Sequence, residues 1–147
     1  MAAETYDRWM PAWLLLVRTH TRLWDLAEAQ MRKDHGITMA RYDVLAQIVN
    51  AGGRLGLSDL ASAIMLTQSG LSKLLDRMEL SGLVHREPDP CDGRSAFAAI
   101  TPQGRSLTRQ ARQGHHDLLQ RTFGDALDDR DLADLTRVLS RISASIP

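Results

Sequence analysis

In the first quarter of the chain, mostly apolar residues recur at steps of three and four positions, which is the period of an α-helix. On such a helix they would form one stripe. The residues on this stripe are Trp13, Leu16, Val17, His20, Leu23, Trp24, Ala27 and Met31. The pattern predicts a helix over residues 11–35, with Pro11 in its first turn and Gly36 just past its end. Because the opposite face is also fairly apolar, we expect this helix to have a second neighbour, for which another subunit is the natural candidate.

Three shorter helices are predicted next, each preceded by a side chain that can cap a helix N-terminus. The predicted spans are residues 38–51, in which Thr38 itself is the capping residue, residues 59–65 after Ser58 and residues 68–81 after Thr67. Gly82 is expected to end the third of them. The buried side of this third helix is predicted to consist of Leu71, Leu74, Leu75 and Met78.

Two short runs typical of β-strands follow, over residues 83–87 and 95–100. The charged segment between them is rich in turn-forming residues and is too long for a two-residue hairpin loop. The sequence therefore predicts a β-hairpin with an extended, charged loop.

Thr101 and Pro102 predict the start of another helix, since they form an N-cap followed by proline in the first turn. We expect this helix over residues 102–123 and, after a break near Gly124, a last helix over residues 128–146. The order of elements predicts a mainly α fold with a small β-hairpin wing, which is a winged helix-turn-helix flanked by further helices at both ends.

The helix over residues 68–81 has a polar face that suits contact with DNA. This face consists of Gln68, Ser69, Ser72, Lys73 and Asp76. Short hydrogen-bonding side chains near a helix N-terminus can approach base edges in a major groove, and Lys73 could reach a phosphate or a guanine. The alternative interpretation is the ordinary solvated face of an amphipathic surface helix.

The loop of the predicted hairpin carries Asp92 and Arg94, two residues apart. A neighbouring carboxylate can hold an arginine at the tip of a wing, and arginine suits the negative potential of a narrow minor groove. The alternative is a solvated loop with an incidental Asp–Arg pair.

The charge balance gives no support to DNA binding. The chain has 18 basic and 18 acidic residues, and residues 37–101 carry six basic and seven acidic side chains, a net charge of −1. A basic footprint is the usual sign of a nucleic-acid-binding protein. A winged-helix module that binds another protein, and no DNA, is therefore the alternative function.

One ordered series of motifs runs through the middle of the chain. The series is Leu60-Ala61, Leu66-Thr67-Gln68-Ser69-Gly70-Leu71, Asp76-Arg77-Met78-Glu79, Gly82-Leu83-Val84, Arg86, Asp92-Gly93-Arg94 and Ile100-Thr101-Pro102-Gln103-Gly104. In this order and spacing it resembles the multiple antibiotic resistance regulator (MarR) family. The resemblance is close over residues 36–105. Outside this range it rests only on the layout and length of the flanking predicted helices. The chain departs from the family at Gly93, where arginine is frequent, and at Ser81, where a basic residue is common.

The resemblance implies a dimeric DNA-binding transcription regulator, usually a repressor, acting on double-stranded DNA with a palindromic operator. Residues 68–81 would be the recognition helix, with Arg77 among its DNA-binding residues, and Arg94 would be the wing arginine that Asp92 orients. The implied organisation is a single MarR-type domain over residues 1–147. Its DNA-binding lobe would span residues 37–101, and residues 1–36 and 102–147 would form the dimerisation region.

The resemblance also implies a possible effector, because family members are often tuned by small aromatic or phenolic compounds, by oxidation or by metals. An apolar pocket between the dimer helices and the DNA-binding lobe could be lined by Trp13, His20, Trp24 and Tyr42. The alternative is that these four residues belong to the core and to the subunit interface.

Other functions find little support in the sequence. The single cysteine, Cys91, fits a reducing compartment, and we expect a cytoplasmic protein without a membrane segment. Nearby carboxylates disfavour a thiolate at Cys91, so no redox role is expected. His115 and His116 are adjacent and diverge on a helix, so no metal is expected. No catalytic constellation or cofactor motif indicates an enzyme.

Overall fold

The computed structural model describes residues 8–64 and 66–146, within which six α-helices and a three-stranded sheet are found. The helices are α1 (Met10–His35), α2 (Met39–Asn50), α3 (Leu57–Ala63), α4 (Gln68–Leu80), α5 (Pro102–Thr122) and α6 (Asp129–Ser145). The strands are β1 (Arg54–Gly56), β2 (Val84–Pro88) and β3 (Ala96–Ile100). The prediction of a mainly α fold with a small β wing is confirmed.

Local capping sets three helix ends where the sequence predicts them. Gly36 has a φ of 67° and its N–H donates to the carbonyl of Arg32, which ends α1. The hydroxyl of Thr38 accepts a hydrogen bond from the N–H of Arg41, and that of Thr67 accepts one from Gly70, so both predicted caps are confirmed.

The cap predicted at Ser58 is wrong. Helix α3 begins at Leu57 after Gly56, so Ser58 lies inside its first turn. The hydroxyl of Ser58 instead accepts a hydrogen bond from the Gln68 amide at 3.3 Å. The predicted end of this helix at Met65 falls outside the described residues, and α3 ends at Ala63.

The sheet contains one strand more than the predicted hairpin. Strand β3 is central and pairs antiparallel with β2 on one side and with β1 on the other. In the register Arg86 lies opposite Ala98, and Arg54 lies opposite Ala99. The third strand fixes the base of the wing to the segment that leads into α3.

Apolar side chains of several elements meet around α2. Val44, Leu45 and Ile48 of this helix are fully buried. Helix α2 packs against α3, β1 and β3, and α4 packs against α3 and β2. The buried side of α4 is as predicted at Leu71, Leu75 and Met78, whereas Leu74 is only half-buried. The core therefore holds α4 with its opposite face outward.

The chain divides into two compact units, one reaching to Gln113 and the other beginning at Gly114, so that the boundary falls inside α5. The predicted DNA-binding lobe, residues 37–101, lies within the first unit. Single-domain organisation and the dimerisation region stay predictions, and residues 1–7 of that region fall outside the described residues. None of the described helices combines the length and apolarity that crossing a membrane requires.

Candidate nucleic-acid interface

The outward face of α4 presents the polar side chains that the sequence singles out. Gln68, Ser69, Ser72, Lys73, Asp76 and Arg77 are all exposed. Because Leu71, Leu75 and Met78 anchor the opposite face, α4 cannot rotate about its axis without exposing core side chains. The helix is thus fixed with a hydrogen-bonding surface toward solvent.

The first turn of α4 is held by polar contacts. Thr67 accepts the hydrogen bond from Gly70 N–H at 3.1 Å, and its hydroxyl lies 3.3 Å from that of Ser69. The side chain of Gln68 reaches back to Ser58, so the turn between α3 and α4 is bridged by side chains. These contacts give the N-terminal residues of α4 a defined starting orientation.

The wing loop is organised by one carboxylate. Asp92 accepts hydrogen bonds from the backbone N–H of Arg94 at 3.0 Å and from the hydroxyl of Ser95 at 2.8 Å. These two contacts, the backbone one foremost, hold the pKa of Asp92 below its usual value. Asp92 therefore holds the backbone of Arg94 through a hydrogen bond. Among the described residues no ion pair engages the Arg94 guanidinium, which is exposed.

Helix α4 and the wing loop border a common cleft of about 310 Å³. Gln68 of α4 and Arg94 of the wing both line it, although they are far apart in sequence. Asp59 and Asp89 line the same cleft and add negative charge to its walls. The fold thus brings a predicted base-reading residue and the predicted wing arginine to one concave surface.

Sequence reasoning missed one residue that joins these two parts. Arg86 of β2 contacts Glu79, Asp76 and Ser72 of α4. In the sequence Arg86 is recognised only as one member of the motif series. Its hydrogen-bonding partners lie on another element, so no local sequence signal indicates them.

The residues predicted to line an effector pocket are in two settings. Trp13 and Trp24 of α1 are exposed by 53% and 42%, and the ring of His20 stacks on that of Trp24 with 6.2 Å between centroids. Tyr42 of α2 is buried. A separate cleft of about 580 Å³ is lined by other residues, including Arg41 and Gln103. The effector pocket stays a prediction.

Cys91 has an exposed free thiol, and its backbone N–H donates a hydrogen bond to the carboxylate of Asp89. Burial lowers the pKa of His115. No group of three or more His, Cys, Asp or Glu side chains suited to a metal ion occurs in the part of the chain that the structure describes.

Two solved structures from Streptomyces coelicolor are similar to this chain. The chain superposes on AbsC, a MarR family transcriptional regulator from Streptomyces coelicolor, with a TM-score of 0.89 and 32% identity, covering 94% of this chain and 93% of AbsC. Sco3205, a MarR family regulator from the same organism in complex with DNA, gives a TM-score of 0.87 and 27% identity over 91% of this chain and 84% of that one.

Sequence comparisons agree with the structural ones. The sequence model of the MarR family matches residues 35–95. The repressor IacR of Pseudomonas putida is 29% identical over 124 residues, which cover 84% of this chain and 72% of IacR. The matched residues cover 64% of the length of another relative, an uncharacterised Bacillus subtilis regulator named YkoM. The resemblance in the motif series is therefore confirmed, and the chain belongs to the MarR family of DNA-binding transcription regulators.

Proposed function

We propose that this protein is a cytoplasmic, dimeric repressor that reads a palindromic operator with α4 in the major groove and Arg94 in the minor groove. The observation that carries this proposal is the common cleft of α4 and the wing, which Gln68 and Arg94 both line. Sco3205, which has the same fold, has a structure in complex with DNA, and IacR is named as a repressor.

Gln68, Ser69, Ser72 and Lys73 are proposed to contact base edges and phosphates in the major groove. Gln68 has the amide that pairs with adenine through two hydrogen bonds, while the serine hydroxyls can donate or accept. Arg77 lies further along the same helix and is exposed, so that it can reach a phosphate.

Arg94 is proposed to enter the minor groove beside the half-site. Its guanidinium is exposed, and the Asp92 hydrogen bonds fix the backbone from which it projects. A guanidinium gains most where the minor groove is narrow and its negative potential is enhanced. Arg94 would therefore favour A·T-rich flanks.

Dimerisation is proposed from apolar surfaces on the terminal helices. Leu15, Leu16 and Val17 of α1 are exposed, as are Leu139 and Ile142 of α6. A second copy of the chain that covered such surfaces would present two α4 helices related by a two-fold axis. The two half-sites would then be palindromic and about one helical turn apart.

A small aromatic or phenolic effector is proposed to modulate DNA affinity. The aromatic rings of Trp13, His20 and Trp24 on α1 offer the stacking surface that such a compound needs. We expect phenols or aryl carboxylates to lower the affinity of the wild-type protein for its operator, and we expect Trp24→Ala to lose this response while retaining operator binding.

Selection of bound DNA from a random pool, followed by fluorescence anisotropy at several salt concentrations, tests the DNA contacts. Arg94→Ala should weaken binding to all sites, relax A·T preference at the flanks and lower the salt slope by about one per subunit. Gln68→Ala should relax preference at one base pair of each half-site, at a cost of about 1–3 kcal/mol. Lys33→Ala removes one positive charge outside the lobe and serves as the control.

The outcomes separate the proposed function from its alternative. If wild type selects no sequence and shows no salt-dependent binding, the protein-interaction function replaces DNA binding. If wild type binds but Arg94→Ala behaves as Lys33→Ala does, the wing does not read DNA. Repression itself is tested with a promoter that carries the selected operator, from which transcription should fall when the protein is present.

A further inference from the structure

Arg86 of β2 makes a dense set of contacts to the outer side of α4. Its guanidinium donates to the carboxylate of Glu79, to that of Asp76 at 2.8 Å and to the backbone carbonyl of Ser72 at 2.9 Å. Its backbone N–H donates to the second carboxylate oxygen of Glu79 at 2.7 Å. One arginine thus ties the strand that leads into the wing to the helix proposed to read DNA.

The three partners lie on one stripe of α4, at successive steps of four and three residues. Ser72, at the start of this stripe, belongs to the proposed base-reading face. The Arg86 side chain is 25% exposed and that of Glu79 is 31% exposed, so this pair is partly shielded from water. Such a pair is stronger than one between fully solvated groups.

The charges around α4 make these contacts consequential for DNA binding. Residues 37–101 carry a net charge of −1, so the lobe has no surplus of positive charge to mask exposed carboxylates. Without Arg86, Asp76 and Glu79 would be two uncompensated negative charges on the helix that approaches the phosphates. Like charges brought together at an interface oppose association.

We propose that Arg86 is a positioning residue for DNA binding, which neutralises Asp76 and Glu79 and fixes the wing relative to α4. The inference rests on the DNA-binding function proposed above. Arg86 acts through α4 and not through a contact with DNA, because both terminal nitrogens of its guanidinium already donate to the helix.

The first measurement compares Arg86→Gln with Arg54→Gln by fluorescence anisotropy on the selected operator. Arg54 is the matched control, since it lies in the same sheet and pairs with Glu87 at 3.3 Å, with no hydrogen bond or ion pair to α4 among those described. Both substitutions remove one positive charge. Arg86→Gln should lower operator affinity about tenfold or more, whereas Arg54→Gln should change it by about twofold or less.

The second measurement separates positioning from direct contact. In the triple variant Arg86→Gln/Asp76→Asn/Glu79→Gln the uncompensated carboxylates are gone, so most of the lost affinity should return. If Arg86 contacted a phosphate directly, the triple variant would stay as weak as Arg86→Gln, and that result overturns the proposal. Equal affinities for wild type and Arg86→Gln overturn it as well.

Thermal melting of each variant controls for loss of folding. If Arg86→Gln does not fold, Arg86→Lys keeps the charge while losing the planar fork that reaches three partners at once. Its affinity should lie between those of wild type and a DNA-binding-deficient protein, and wild-type affinity would overturn the proposal. Failure of the wild type to bind any DNA would instead remove the proposed function, so the two failures are distinguishable.

Discussion

In the wing loop both carboxylate oxygens of Asp92 are occupied by groups of the same loop, the N–H of Arg94 and the hydroxyl of Ser95. These hydrogen bonds lower the pKa of Asp92 in the folded protein. A carboxylate with a lowered folded-state pKa contributes stability above its ordinary pKa and loses it as the pH falls through the folded value. These two hydrogen bonds therefore contribute to the stability of the loop at neutral pH, and their contribution is lost in acid.

Substitution of Asp92 tests whether this loop order matters for binding. Asp92→Ala removes both acceptors and should weaken operator binding several-fold, because the backbone at Arg94 is no longer fixed. Asp92→Asn keeps an acceptor for the Arg94 N–H, removes one negative charge near DNA and should bind at least as tightly as wild type. Anisotropy at pH 7 measures both, and equal weakening in the two variants would show that the charge matters more than the loop order.

Gly104 lies where the start of α5 packs tightly against the end of the turn before β2. An added Cβ would overlap the carbonyl oxygen of Leu83 and lie 3.0 Å from the side chain of Ile100. That carbonyl cannot easily move away, since it accepts hydrogen bonds from the N–H and the hydroxyl of Thr101. The site therefore requires glycine because of its close packing.

Gly104→Ala should lower the free energy of unfolding by about 1–3 kcal/mol, as overpacking of a tight contact does. Gly93→Ala is the matched control, because a Cβ at Gly93 meets nothing within 4 Å. Thermal or urea unfolding of both variants provides the comparison. A melting temperature for Gly104→Ala equal to that of Gly93→Ala would contradict the packing argument.

At the scale of elements, sequence signals succeeded where the determinant is local. The caps at Thr38 and Thr67 and the glycine after α1 each act within about four residues, and the structure has them where the sequence predicts. Strand β1 was missed because three residues are too short to show alternation. Its pairing with β3 is a contact between segments some forty residues apart.

The candidate site likewise contains features that the local sequence predicts and contacts between elements that it does not. Helical periodicity alone predicts which residues of α4 face outward, and that exposure is observed for Gln68, Ser72 and Lys73. The contacts of Arg86 with Asp76 and Glu79 join a strand to a helix, so the sequence pattern contains no signal for them. Side-chain partners across elements become visible only when the fold is known.

The N-cap of α4 offers a test at this scale. Thr67→Ala removes the acceptor for the Gly70 N–H, and a lost cap of this kind costs about 1 kcal/mol. Thr67→Ser keeps the hydroxyl and should retain most of that stability. Unfolding curves of the two variants decide the matter, and equal stabilities would mean that the hydrogen bond makes no net contribution.

At the scale of the whole molecule, two apolar surfaces stand out against a chain of balanced charge. Five consecutive residues of α1 are exposed and apolar, namely Trp13, Leu14, Leu15, Leu16 and Val17. Because consecutive residues point about 100° apart on a helix, this run surrounds α1 on all sides. In the second unit Leu132, Val138 and Ile142 are exposed on α6. Contiguous apolar surface of this kind marks an interaction site.

We expect a homodimer whose light-scattering mass is twice the chain mass of 16.4 kDa at low micromolar concentration. Leu15→Glu and Ile142→Glu each place a charge on one of these surfaces. Each should convert the dimer to monomer or unfolded chain, since burying an unpaired carboxylate costs several kcal/mol. Leu80→Glu is the control, because Leu80 is 90% exposed at the end of α4 and outside both surfaces. A folded wild-type monomer, or a dimer undisturbed by both charged variants, would mean that another partner covers these helices.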